Sequence, residues 1–132
     1  MKIDHIGIAV KSLAAALKTY ESVIGLEVSG YETVEDQGVN LAMIPIGDSR
    51  IELLEPLDEN SPIEKFIAKR GEGIHHICFR VDDIEAHLAK LKAEGYRLVN
   101  ESPVPGAHGC RVAFLHPAAG NGVLIELSEK IE

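Results

Sequence analysis

The feature that most constrains this chain is an internal repeat. Asp4-His5-Ile6-Gly7-Ile8-Ala9-Val10 has a counterpart in His75-His76-Ile77-Cys78-Phe79-Arg80-Val81, with His5 and His76 at equivalent stations. Each segment alternates faces in the manner of a strand, and each precedes a polar cap and a helix-period pattern. Ser12 stands before Leu13, Leu17 and Tyr20, and Asp83 before Ile84, Leu88 and Leu91. Both helices run into glycine, Gly25 and Gly95, and β-prone runs at 26–28 and 96–99 follow. The first copy continues with strands at 39–46 and 50–54 joined by a Gly47-Asp48-Ser49 hairpin loop, and the second with strands at 111–115 and 123–127 across a turn. The reading is α+β, two pseudo-symmetric modules of the order strand-helix-strand-strand-strand.

Between the copies, Ser61-Pro62-Ile63-Glu64 combines an N-cap serine, proline at the first helical position and a glutamate closing a capping box. It predicts a short connecting helix ending near Gly71. Module one spans about 1–57, the connecting helix lies within about 58–73 and module two spans about 74–132. Neither copy buries much surface alone, so the two are expected to pack as a single domain over 1–132.

With 45% hydrophobic and 26% charged residues the chain can build a core. Its net charge of −8 and 5% aromatic content leave no footprint for nucleic acid. The N-terminus enters an apolar alternation directly, with no charged leader and long apolar stretch, so the expectation is a cytoplasmic protein without a membrane partner. Cys78 and Cys110 lack the spacing of a zinc or redox motif and read as reduced and structural.

Alternation places His5, Gly7 and Ala9 on one face of the first strand, and His76, Cys78 and Arg80 on the matching face of its repeat. Glu52 in Ile51-Glu52-Leu53-Leu54 and Glu126 in Ile125-Glu126-Leu127 set a carboxylate inside an apolar strand at equivalent positions. An ionised carboxylate among aliphatic neighbours costs several kcal/mol unless it is paired or bound to a cation. A lone strand histidine is usually structural and a lone glutamate usually solvated; the symmetric foursome is what points further. If the halves pack around a pseudo-twofold axis, His5, Glu52, His76 and Glu126 converge as ligands of one divalent ion. Two imidazoles and two carboxylates suit cobalt, nickel, manganese, iron or zinc. Four protein ligands of an octahedron leave two adjacent positions for a bidentate oxygen substrate. His75, His87 and His116 read as structural or solvent-facing. His108 belongs to a glycine-flanked loop and Arg111 to a strand end.

Paired half-modules with His, Glu, His and Glu at these stations resemble the vicinal-oxygen-chelate superfamily, which includes glyoxalase I, extradiol dioxygenases and methylmalonyl-CoA epimerases. Segments 4–10 and 51–57, Gly73-Ile74-His75-His76-Ile77-Cys78, Gly106-Ala107-His108-Gly109, Phe114-Leu115-His116-Pro117 and Gly122-Val123-Leu124-Ile125-Glu126-Leu127 look like the epimerases in particular. The resemblance implies one eight-stranded, partly open barrel-like sheet around a metal site, with His5, Glu52, His76 and Glu126 as ligands. Glu52 occupies a station where some members carry glutamine. It implies cobalt first, with nickel, manganese or zinc as alternatives, and epimerisation of methylmalonyl-CoA at C2 in propionate metabolism. The reaction would run through an enolate chelated by the thioester and carboxylate oxygens. Some bacterial epimerases place a glutamate base in the third strand, where this chain has Leu41, so Glu126 and Glu52 are the catalytic candidates. The partner is then a small acyl-CoA, met by local Lys, Arg or backbone N–H groups because the chain as a whole is acidic. A glyoxalase I-type isomerase and a non-catalytic small-molecule binding module are the alternatives. A homodimer is expected, since an exposed sheet edge invites pairing and a two-fold contact closes without forming a filament.

Overall fold

In a computed structural model that describes residues 1–131, the chain forms two compact units: His5–His75, and Met1–Asp4 together with the chain from His76 onward. Among the described residues there are eight strands and three α-helices, an α+β composition. No helix among them is long and apolar enough to cross a membrane.

The first unit holds β1 (Lys2–Ala9) from His5 onward, α1 (Leu13–Leu17), β2 (Gly30–Val34), β3 (Val39–Ile46), β4 (Ser49–Pro56) and α2 (Pro62–Arg70), with strand order β2-β3-β4-β1. β1 runs parallel to β4, with His5 opposite Arg50 and Gly7 opposite Glu52, while β3 runs antiparallel to β4 with Met43 opposite Glu52. One sheet face carries Val10, Ala42, Ile44 and Leu53, packed by Leu13, Leu17 and Tyr20. Leu53 and Ile44 are completely buried, each worth about 1.5–3 kcal/mol of transfer free energy.

The second unit repeats the plan with β5 (Gly73–Arg80) from His76 onward, α3 (Ile84–Ala93), β6 (Val104–Pro105), β7 (Cys110–Leu115) and β8 (Ile125–Lys130), in the order β5-β8-β7-β6. β5 and β8 are parallel with Cys78 opposite Glu126, and β7 sets Phe114 opposite Glu126 from the other side. Val81, Ile84, Leu88, Ala113, Leu115 and Leu127 form its core.

The helix starts follow their caps. Ser12 accepts from the Ala15 N–H, Ser61 from Ile63 and Asp83 from Ala86. Two glutamates repeat a further tie: Glu55 accepts from the Leu13 N–H at 3.0 Å and Glu129 from the Ile84 N–H at 3.0 Å. Gly120 tolerates no side chain, because a Cβ there would lie 2.2 Å from the Val123 carbonyl oxygen.

Several expectations are corrected. Run 26–28 is not a strand; Leu26 and Val28 pack on the first core from an irregular segment, and the ladder starts at Gly30. Run 96–99 makes one isolated bridge, Leu98 to Leu115, and the strand of that station is the two-residue β6. The last strand begins at Ile125 instead of Val123, and the first helix passes after Leu17 into a π-helical turn over Lys18–Val23. The Ser61 cap bond goes to Ile63 in place of the N–H of Glu64.

Candidate metal centre

The face of each sheet opposite its helix carries the chemistry. In the first unit, the strand pairings put His5, Gly7 and Ala9 beside Arg50, Glu52 and Leu54, and these beside Leu41 and Met43. Ala9, Leu41, Met43 and Leu54 are buried, so His5 at 4% and Glu52 at 3% exposure lie in an apolar floor. His5 Nε2 lies 3.4 Å from Glu52 Oε1. The other carboxylate oxygen, Oε2, accepts from both Arg50 Nε and a terminal Arg50 nitrogen, each at 2.8 Å. Leu41, buried across from Leu54, carries no group that can move a proton.

In the second unit, His76, Cys78 and Arg80 stand beside Leu124, Glu126 and Ser128, and beside Val112 and Phe114. His76 Nε2 approaches Glu126 Oε1 at 2.9 Å, and both residues are 4% exposed. The Phe114 ring meets the His76 imidazole edge to face, with centroids 5.7 Å apart, which fixes the ring plane. Arg80 reaches Asp4 at 2.6 Å; that carboxylate is almost completely buried.

The four candidate ligands of the sequence reading fall in the structure into two pairs: His5 with Glu52, and His76 with Glu126. The carboxylate oxygen and imidazole nitrogen lie 2.9 Å apart in the His76–Glu126 pair and 3.4 Å apart in the His5–Glu52 pair, both away from water, where a cation can be met by both groups of a pair. The donor chemistry of each pair suits a divalent ion of the borderline class. The sequence reading missed Arg50, the Asp4–Arg80 pair and the Phe114 contact. Strand alternation carries the signal for Arg50, two residues before Glu52 and therefore on the same face.

The remaining histidines take other roles. His75 packs edge to face on Phe66 at 4.9 Å, His116 Nδ1 accepts from the Ala118 N–H, and His108 is exposed in a short turn at φ +59°. Cys78 and Cys110 are buried free thiols. Arg111 binds Glu129 at 2.7 Å. The Arg111 guanidinium, followed by the Ile84 N–H, holds the Glu129 carboxyl below the usual carboxylate range, and Glu129 in turn raises Arg111.

A family model described as the Glyoxalase/Bleomycin resistance protein/Dioxygenase superfamily matches residues 4–114, and the chain belongs to that superfamily. A hypothetical protein of Bacillus halodurans, BH1468, has a crystal structure similar to this one at a TM-score of 0.96 and 53% identity, covering 99% of this chain and 95% of that one. The mitochondrial methylmalonyl-CoA epimerase of Dictyostelium discoideum is 42% identical over 98% of this chain and 78% of its own length. A single-residue variant of the Streptomyces coelicolor methylmalonyl-CoA epimerase, in complex with 2-nitronate-propionyl-CoA, matches at a TM-score of 0.94 and 43% identity, covering 98% of this chain and 94% of that one. Within the superfamily, the chain is a homologue of the methylmalonyl-CoA epimerases.

Proposed function

We propose that this protein, an isomerase of the epimerase class, inverts C2 of methylmalonyl-CoA with a divalent metal ion held by His5, Glu52, His76 and Glu126. The observation that carries the reading is the pair of buried His–Glu couples at equivalent stations, in a chain 42% identical to a methylmalonyl-CoA epimerase. When bound, the ion supplies Lewis-acid stabilisation of the negative charge that develops on the thioester oxygen as the C2 proton leaves. Each unit contributes one imidazole and one carboxylate to the set. Phe114 keeps the His76 ring oriented, and the apolar floor of Ala9, Leu41, Met43 and Leu54 keeps water from the Glu52 side.

Inversion requires a proton to leave one face of C2 and another to arrive on the opposite face. Glu126 is the candidate for moving the proton, with Glu52 as its pseudo-symmetric alternative, because Leu41 cannot serve. The nitronate in the Streptomyces coelicolor complex is a planar anion with the shape of an enolate, which supports this course for the reaction in this chain. Cobalt is the ion expected first, with nickel, manganese or zinc as alternatives. We place the enzyme in the cytoplasm, as a homodimer whose chains each hold a full ligand set, acting in propionate metabolism.

Solvent exchange tests the reading. Incubated with methylmalonyl-CoA in deuterated water, the metal-loaded protein is expected to introduce deuterium at C2, and the chelator-treated protein to introduce none. Failure of the loaded protein to exchange, with turnover of a glutathione hemithioacetal instead, would transfer the assignment to a glyoxalase I-type isomerase.

A further inference from the structure

We propose that Arg50 sets the charge of the ligand set, by taking one oxygen of Glu52 and cancelling the negative charge that this residue brings; the inference rests on the metal-dependent reading above. Arg50 and Glu52 are two residues apart on β4 and share a face. Arg50 Nε and a terminal Arg50 nitrogen both donate to Oε2 at 2.8 Å, which leaves Oε1 on the His5 side at 3.4 Å. The Arg50 side chain is 18% exposed and that of Glu52 4%, so the pair is only weakly screened by solvent. Two residues before Glu126, just ahead of β8, the chain has the uncharged Leu124 where the first unit has Arg50.

The electrostatic consequence follows from counting charges. A divalent ion with two ionised glutamates is a neutral centre. With the Arg50 guanidinium on Glu52 the same centre carries one net positive charge, as it would if the ligand at 52 were a neutral amide. A substrate that presents a carboxylate and then develops an enolate oxygen gains from that residual charge. Arg50 is therefore a positioning residue: it keeps Glu52 to a single outward oxygen and trades tight metal binding for attraction to an anionic substrate.

This role predicts an effect on metal affinity opposite in sign to that of a merely structural residue. In calorimetric titrations of metal-free protein with cobalt(II) alone, Arg50→Met is expected to bind about tenfold more tightly than wild type, since a like charge near the ion has been removed. Arg50→Lys, which keeps the charge, is expected to stay within about threefold of wild type. With Glu52→Gln already in place, Arg50→Met is expected still to tighten cobalt binding, because the like charge it removes repels the ion whichever residue stands at 52. If Arg50→Met does not fold, Arg50→Gln carries the same test. Equal or weaker cobalt binding by the neutral variant overturns the role of Arg50 while leaving the epimerase reading intact. A wild-type protein that binds no cobalt overturns both.

Discussion

The two halves share a plan and differ in where they spend their arginines. In the first, Arg50 lies on Glu52, and Asn40 stands across from Glu55, bonded to Thr33. In the second, Leu124 takes the station of Arg50, and Arg111 stands across from Glu129. Arg80 occupies the station of Ala9 and is engaged by Asp4. The first half thus carries its strong ion pair on the candidate ligand itself. The second carries its arginines on supporting carboxylates, and Glu126 is met by an imidazole under an aromatic ring. The same backbone therefore yields two chemically unequal carboxylates, one anchored by a guanidinium and one matched to a histidine.

The largest expected effect removes the partner common to both halves. His5→Ala and His76→Ala should each weaken cobalt binding by more than about 100-fold and abolish C2 exchange, while far-ultraviolet circular dichroism shows the fold retained. A smaller contrast separates the glutamates. Glu126→Gln is expected to lower kcat about 10³-fold, and Glu52→Gln by about tenfold, in steady-state epimerisation assays. Equal losses would erase the asymmetry that Arg50 imposes. Asp4→Asn leaves the Arg80 guanidinium, 26% exposed, facing an uncharged group and should cost about 1–3 kcal/mol in urea unfolding.

The smallest effect concerns Glu129. Its carboxyl is held low by Arg111 and the Ile84 N–H, so its contribution is present above the ordinary carboxylate range and lost as pH falls through its lowered value. Glu129→Gln should be slightly less stable than wild type at neutral pH, and the two denaturation midpoints should converge on acidification.

What was legible in the sequence is what local physics decides. Ser12, Ser61 and Asp83 stand where a side-chain oxygen can meet the first free amides of a helix, and each does so. His5, His76, Glu52 and Glu126 betrayed themselves by polarity at inward positions of apolar strands. The errors fell where tertiary packing overrides propensity. Leu26 and Val28 look like a strand because they are apolar and β-prone, yet they fill the first core from a segment with no ladder partner. Leu98 does the same on the second core, with a single bridge to Leu115. Arg50 carries no such mark in the sequence, because an arginine at a strand start normally faces solvent; only its placement on the face of Glu52 makes it a partner.

In the proposed reading, two imidazole–carboxylate pairs, one from each half, serve a single ion. Counting bound cobalt by calorimetry, in wild type and in the His5→Ala and His76→Ala variants, tests it most directly. One ion per wild-type chain is expected, and none in either variant at the same concentration. Two ions per chain, with each variant keeping one, would show that the pairs are independent sites and would contradict it.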